Sequence, residues 1–390
     1  MLWLLAHDSL ARLGGGGVSH EVNRLYFRWY GVLSHGSYPV DDRMWQYPPG
    51  AGPVLLSPAL LPGLTYFQAF VALTLVADGA IAIALARAGT RPRDGRHPQA
   101  RTLHGALLWV AALPLLLHIP LARYDVQVTA FAVISLLTSA RSTRACGAFA
   151  ALGALVKVWP ALALLGTPRG RTTREAWTSA AVTAAALLVA LATLFSNPFD
   201  FLRQQGGRGV QIESLGGTAL AFARHAGWQG AVRYRYGAME FVGPYVSTVA
   251  AVSLALTLAA FALLLLWRVR ARRWTPATPY DAALAAVLLF TVTSRVISPQ
   301  YMVWLLGLSA VCLTSRHTTQ RPVAALVVAA TAVSSVAYPV LYGEVMACTW
   351  TGCLLMFVRN GLLASAAVLA FARLWRSGRA PAAGRPDGEE

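Results

Sequence analysis

One lysine occurs among the 390 residues, and it lies in the apolar run ALGALVKVWPALALLG, three residues before Pro160. The ammonium of Lys157 is a compact cation that, facing a cavity, can hold a phosphate. The plainer reading is a lysine that snorkels to an interface or pairs internally. The carboxylates are just as unevenly placed. Glu21, Asp41 and Asp42 share one early polar stretch, Asp125 follows Arg123-Tyr124, and Glu213 closes the run that starts at Arg208 in RGVQIES. A carboxylate held beside a hydroxyl acts as a general base, while any one of these alone reads equally as an ion-pair partner or a helix cap. Arg295 and the run Ser298-Pro299-Gln300-Tyr301 place a cation and two hydrogen-bonding groups at the end of an apolar segment.

Other polar residues point to structure. Asp78 sits mid-segment in LTLVADGAIAIAL, where pairing with an arginine on another helix is expected. Asp281 falls at a helix start, where a carboxylate suits the helix dipole. Arg359-Asn360 lies in an apolar segment and should face inward rather than lipid. The four cysteines lack metal-ligand spacing. Cys348 and Cys353 fall at the ends of neighbouring helices where a disulfide is feasible in an oxidising compartment, and Cys146 and Cys312 read as free thiols. The chain shows neither a Gly-rich nucleotide loop nor a Ser/His/Asp arrangement, which argues against an ATP-driven pump. Clustered acids leave a divalent metal open without supporting one, and no cofactor is implied.

The elements that must carry these residues are membrane helices. Charged residues make up 13% of the chain and apolar ones 56%, against about 25% charged in a soluble protein. That excludes an ordinary cytosolic enzyme and a disordered chain. Apolar segments long enough to span read at 64–87, 103–121, 125–140, 176–195, 244–267, 279–295, 301–315, 322–342 and 352–374. The net charge of +17 gathers in the short connections at 87–101, 141–144, 169–174, 268–273, 316–321 and 373–379, as cytoplasmic loops require. It therefore maps topology and gives no ground for a nucleic-acid partner, which would need a solvated basic face. Both flanks of 145–166 are then cytoplasmic, so this stretch should enter and leave on one side as two half-helices meeting near Val158–Pro160. An ordinary span with a misread flank is the alternative.

On this topology the outer face carries two large loops, 14–62 and 196–243. The first reads as an interfacial helix, a turn and a short apolar dip; the second is polar, Gly-rich and aromatic. Residues 1–376 form a single transmembrane domain and 377–390 a polar cytoplasmic tail. The opening MLWLLAHDSLARL is too short to span and lacks the features of a signal peptide; it reads as an interfacial helix or as a chain whose start lies upstream.

Several of these motifs, in order, resemble a known family. EVNRLYFRWYGVLSHGSYPVDDRMWQYPPGAGP, RYD at 123–125, LVKVWP at 155–160, RGVQIES at 208–214, SPQYMVWLL at 298–306 and RN at 359–360 together resemble the family 87 glycosyltransferases of the GT-C superfamily. The resemblance implies an all-α polytopic fold of about 10–12 transmembrane helices, with short non-spanning helices that suit the broken hairpin. It also implies a polyprenyl-phosphate-sugar donor, with mannose the sugar in actinobacterial relatives. The acceptor would be an envelope glycan or glycolipid, and the site would face outward from the bacterial cytoplasmic membrane. A carboxylate of the first outer loop would serve as base in an inverting displacement.

The family's early acid is usually Asp, and here the matching residue is Glu21. That ranks Glu21 first as base, Asp42 second and Asp41 third, or leaves a chain that has lost activity. The leaving phosphate would be met by Lys157, Arg208 or Arg295, and sugar or phosphate oxygens by Gln300 and Tyr301. Tyr47-Pro48-Pro49 would shape the loop, since proline locks φ. Arg123, Asp125, Glu213 and Arg359 remain polar candidates without an assigned step. The rivals are a transporter or lipid-linked-sugar flippase, weakened by the lack of visible inverted repeats, and an inactive scaffold of the same fold.

Overall fold

The computed structural model describes residues 20–90, 102–205 and 209–379. The opening segment, the arginines at 91–101, Arg208 and the tail beyond 379 lie outside the described residues. A π-turn at Glu21–Tyr26 leads into α1 (Phe27–Ser34), and α2 (Ala51–Leu56) follows a loop. Then come α3 (Tyr66–Thr90), α4 (His104–Ala112), α5 (Ile119–Ala122), α6 (Asp125–Thr138), α7 (Thr143–Val156) and α8 (Arg171–Leu194). The second loop holds β1 (Val210–Gln211), α9 (Leu215–His225), β2 (Ala231–Arg235) and β3 (Ala238–Val242). The chain ends with α10 (Val246–Arg270), α11 (Thr278–Thr293), α12 (Tyr301–Leu313), α13 (Arg321–Ser335), α14 (Tyr342–Ala347) and α15 (Trp350–Arg379).

The fold is that of an all-α polytopic membrane protein. Among the described residues five helices are long and apolar enough to cross a membrane: α3, α8, α10, α13 with its extension to Val340, and α15. The other apolar segments are shorter than the spans read from sequence. At 1.5 Å per residue, the 16 residues of α11 cover about 24 Å, less than a hydrocarbon core of about 30 Å. They can be short because they are interior. Almost every residue of α11 and α12 is buried, and α11 packs against α10, α12, α15 and the turn after α7. The apolar side chains of α8 and α10, such as Val182, Val189, Leu254 and Leu258, are instead exposed and suit contact with lipid. The expected span 103–121 is broken into α4, a 3₁₀ turn at Leu113–Leu116 and α5, because Pro114 and Pro120 cannot donate to a helical ladder. Close helix contact relies on glycine: a Cβ at Gly147 of α7 would collide with the Ala176 carbonyl of α8, and one at Gly307 with Thr129.

The two ends of the bundle differ. One end is tied by arginine. Arg268 donates to the Thr167 carbonyl at 2.9 Å and to Thr173 Oγ1 at 2.7 Å, and Trp274 Nε1 to the Gly166 carbonyl at 2.9 Å. Arg373 reaches the Thr319 carbonyl at 3.1 Å, and Asp281, in the first turn of α11, accepts from Thr318 and Thr319. The half-helix expectation for 145–166 is met at this end: α7 starts beside α8 through Ser179 Oγ to the Arg144 carbonyl at 2.8 Å. It stops at Lys157, whose backbone is extended (φ −148°, ψ 134°). The chain then returns through a 3₁₀ helix at Trp159–Gly166 to the arginine end.

The opposite end carries both loops. The first is fixed to the far end of α8 by Tyr38 N to the Ser196 carbonyl at 3.0 Å and Ser196 N to the Gly36 carbonyl at 2.9 Å. The second contains a small antiparallel sheet of order β1-β3-β2, tied to the α11–α12 turn by Gln211 N to the Arg295 carbonyl at 3.0 Å.

Two expectations are corrected. Asp78 accepts from Trp109 Nε1 at 2.7 Å rather than from an arginine; most of the described arginines lie at helix ends and in loops, and the interior Arg359 is engaged by Glu213. Cys348 and Cys353 are free and buried, not bridged. Cys353 Sγ turns to His225 Nε2 and the Cys348 carbonyl, both at 3.6 Å, while Cys348 Sγ faces Arg224 at 3.7 Å. Cys146 and Cys312 are free and buried as well.

Candidate functional site

At the loop end the helices and loops enclose a cavity of about 810 Å³. The π-turn before α1 brings Glu21 to its wall, and the loop before α2 brings Tyr47 and Pro48. The α5–α6 turn contributes Arg123, the break after α7 Lys157, the second loop Glu213, and the start of α12 Gln300 and Tyr301. Residues from nearly every part of the sequence reading therefore meet at one place.

The first loop is held by aromatic packing. Trp29 meets Trp45 edge-on at 5.1 Å, Trp45 meets Tyr47 at 5.8 Å, and Tyr47 meets Tyr124 at 5.3 Å. Tyr38 Oη donates to the Pro49 carbonyl at 2.6 Å, and Ala51 N and Gly52 N donate to the carbonyls of Pro48 and Pro49 at 3.0 Å. The two prolines thus turn the chain into α2, with Pro49 behind the wall. Asp42 is a pin in the same loop: its Oδ1 accepts from Met44 N at 2.9 Å, and its Oδ2 from Trp29 Nε1 at 2.9 Å and Arg28 at 2.6 Å. Neither Asp42 nor Asp41 lines the cavity; Asp41 has a left-handed backbone (φ 53°), and its N–H donates to Asp200 Oδ2 at 3.1 Å. With both Asp42 oxygens occupied, Glu21 is the acid of the first loop that reaches the cavity.

Glu21 Oε1 accepts from Arg123 Nη1. Arg123 reaches it because the chain is extended between α5 and α6 (φ −137°, ψ 146°). On another wall, Lys157 pairs internally, as the plainer reading expects, and also lines the cavity. Its Nζ lies 2.7 Å from Asp125 Oδ1, which also accepts from Trp304 Nε1 at 2.5 Å. The ammonium stands 5.0, 5.3 and 5.8 Å from the ring centres of Tyr124, Trp304 and Tyr47, within cation–π range. Asp125 is fully buried behind this wall and orients two cavity residues. Trp304 stacks on Tyr301 at 3.9 Å and on Trp159 at 5.2 Å, so a flat aromatic surface borders the lysine.

Glu213 and Arg359 form the buried part of the site. Glu213 Oε2 accepts from Gln211 Nε2 at 3.1 Å, and Oε1 lies 3.4 Å from Arg359 Nη2, which also donates to the Glu213 carbonyl at 3.0 Å. Asn360 Nδ2 donates to the same carbonyl at 3.1 Å and to Thr218 Oγ1 at 2.7 Å. Arg359-Asn360 thus faces inward, as expected, and clamps the second loop. Burial pushes the Glu213 carboxyl up to about 7, against the opposing pull of Arg359.

Arg295 does not line the cavity, although its carbonyl holds the second loop. Arg208 lies outside the described residues. Sequence reasoning missed Arg24, His118, Trp159, Trp304, Tyr234 and Tyr338, all cavity residues. The signal for Trp304 was its position one helical turn beyond Tyr301. His118 and Tyr338 carry none, since each is a single polar residue beside a proline-broken helix. Among the described residues, no group of three or more His, Cys, Asp or Glu side chains is placed to hold a metal ion.

No curated protein matches the chain. The model of glycosyltransferase family 87 matches residues 45–299, starting just beyond Asp42 and covering the β-hairpin, the lysine break and the Arg295 turn. With more than half of its length inside that match and a polar cavity set in a bundle of apolar helices, the chain belongs to glycosyltransferase family 87 and is a membrane glycosyltransferase.

Proposed function

We propose that the chain moves a hexose, mannose by family resemblance, from a polyprenyl-phosphate-sugar donor to a hydroxyl of an envelope glycan or glycolipid. The observation that carries the reading is the meeting in one cavity of a loop carboxylate, Glu21, with the cations Arg123 and Lys157 and an aromatic wall. Glu21 takes the acceptor's hydroxyl proton while that oxygen attacks C1 of the sugar. The bond from C1 to the phosphate oxygen breaks, and its electron pair leaves with the phosphate. A single displacement of this kind inverts the anomeric centre.

The departing phosphate gains charge, and a fixed cation stabilises that change most where water is excluded. Lys157 has the right placement: Asp125 orients it, and Val158 beside it is an exposed apolar residue of the same cavity. An isoprenoid tail entering over Val158 would bring its phosphate to the ammonium. Gln300 and Tyr301 serve the sugar or phosphate oxygens. Arg295 acts from outside the wall, and Tyr47-Pro48-Pro49 shapes it; Arg208 remains a further candidate for the phosphate.

The arginine end is the cytoplasmic one on the positive-inside rule, which turns the cavity outward from a bacterial cytoplasmic membrane. Residues 1–376 then form one GT-C-like domain whose outer loops are 14–62 and 196–243, and 377–390 a cytoplasmic tail.

The test is transfer of radiolabelled mannose from polyprenyl-phosphate-mannose in membranes containing the chain. Wild type should incorporate label, Glu21→Gln should lose incorporation, and Asp42→Asn should keep most of it. Full activity in Glu21→Gln removes the base assignment, and absence of transfer by wild type removes the donor assignment.

A further inference from the structure

Beside the cavity lies a second, open chamber of about 340 Å³, lined by Arg43, Met44, Tyr234, Arg235 and Tyr236. Met44, Tyr234 and Tyr236 line both spaces, so the two are joined. The transfer chemistry proposed above uses none of these residues.

Two loops build the chamber. Asp42 fixes the first, with Met44 N on its Oδ1, and so sets Arg43 between two held neighbours. The second is the β2–β3 hairpin, in which Arg235 pairs with Ala238 and Tyr234 with Met239. Its two-residue turn has positive φ at both positions, 51° at Tyr236 and 75° at Gly237, as the twist of a tight hairpin requires. Tyrosine in that conformation is unfavourable by about 1–2 kcal/mol, so the hairpin holds the ring at the chamber against a local cost. Tyr234 lines both spaces. Burial raises its phenol first, the Glu21 carboxylate raises it further, and Arg123 and Arg28 oppose.

The chamber's chemistry is one-sided. Two solvent-exposed arginines line it, with no carboxylate among its lining residues. The neighbouring acids are engaged elsewhere, Asp42 with Arg28 and Trp29, and Asp200 with the Asp41 N–H and Arg203 at 3.8 Å. Guanidinium forks match phosphate oxygens, and tyrosine offers a flat apolar face with a hydroxyl at its edge, which suits a sugar ring.

We propose that this chamber is the acceptor subsite and takes a phosphorylated sugar head group. Arg43 and Arg235 hold the phosphate, Tyr234 and Tyr236 cover the ring, and a ring hydroxyl is presented to Glu21. The proposal rests on reading the adjoining cavity as the transfer site. A phosphate of this kind reaches the chamber either on a lipid head group or on a phosphorylated glycan.

The test is binding to the purified full chain without donor, so that no turnover is needed. The probes are glucose 6-phosphate, glucose, inorganic phosphate, and nanodiscs of phosphatidylglycerol or phosphatidylcholine. Glucose 6-phosphate should bind more tightly than glucose or inorganic phosphate. The double variant Arg43→Gln/Arg235→Gln should weaken it by about tenfold or more, as loss of charge-assisted hydrogen bonds does. Competition by phosphatidylglycerol but not phosphatidylcholine assigns the phosphate to a lipid head group, and glucose 6-phosphate binding without that competition assigns it to a glycan. Equal glucose 6-phosphate affinity in wild type and double variant, or no binding by either, overturns the subsite. Retained binding without sugar transfer would instead remove only the transfer reading.

Discussion

Two arginine–carboxylate pairs meet one cavity, the first through both partners and the second through Glu213 alone, and they differ in how much water reaches them. The side chains of Glu21 and Arg123 are 23% and 21% exposed, and those of Glu213 and Arg359 are 3% and 0%. The first pair joins a π-turn to a short extended link and lines the cavity through both partners. In the second, Arg359 and Asn360 both grip the Glu213 carbonyl, so α15 is clamped to the second loop. Under the proposed mechanism the same two residue types make a working contact in one pair and a strut in the other, and burial separates the two.

The comparison breaks most sharply at Glu21. Under the proposed mechanism, Glu21→Gln removes a general base and should lower sugar transfer on the order of a thousandfold. Its thermal unfolding in detergent should change by less than about 1 kcal/mol, the usual scale of a partly exposed pair. A large loss of stability in this variant would make Glu21 a strut and erase the contrast.

Arg359→Met attacks the other side. It leaves Glu213 buried without its cation and frees the second loop, which should cost about 3 kcal/mol or more, read as a lowered unfolding temperature. Residual transfer per folded molecule should stay within about tenfold of wild type. A stable protein that had lost transfer would move Arg359 into the chemistry.

The strut also has a pH signature. Burial puts the Glu213 carboxyl at about 7 in the folded chain, above its ordinary value of 4.5. Between those values the unfolded chain has released this proton and the folded chain retains it, so stability falls as pH rises from about 4.5 to about 7 and levels off above. Glu213→Gln cannot titrate, and its stability relative to wild type should grow across that window by about 3 kcal/mol. Parallel pH profiles for the two proteins would mean that Glu213 keeps an ordinary carboxyl.

Much of this architecture was legible in the sequence, for local reasons. Apolar runs marked the helices, and the arginine clusters on both sides of 145–166, with Pro160 inside, marked the turn-back at Lys157. The pairing of Glu213 with Arg359 was not legible, because 146 residues separate the partners and nothing in either motif names the other. The arginine expected for Asp78 was a tryptophan, since charge excess says where arginines gather and not which side chain meets a mid-span acid. The β-hairpin did leave a trace: AVRYRYGAMEFV has a glycine at the turn between two strand-like runs. A long polar loop between apolar helices hid it.

Asp42 gives the finest test of the contrast, because it lies in the same loop as Glu21 without touching the cavity. Asp42→Asn keeps an oxygen for Met44 N but loses the charge that Arg28 and Trp29 now share. With Arg28 largely exposed and Asp42 partly so, the pair contributes little, and stability should fall by about 1 kcal/mol or less. Transfer should drop by less than about tenfold, through a slightly looser loop, in the assay where Glu21→Gln loses about a thousandfold. Two variants so close in chemistry separate position from residue type. If Asp42→Asn were as inactive as Glu21→Gln at unchanged stability, the carboxylate that does the work would be the pinned one, and the loop would have to open for catalysis.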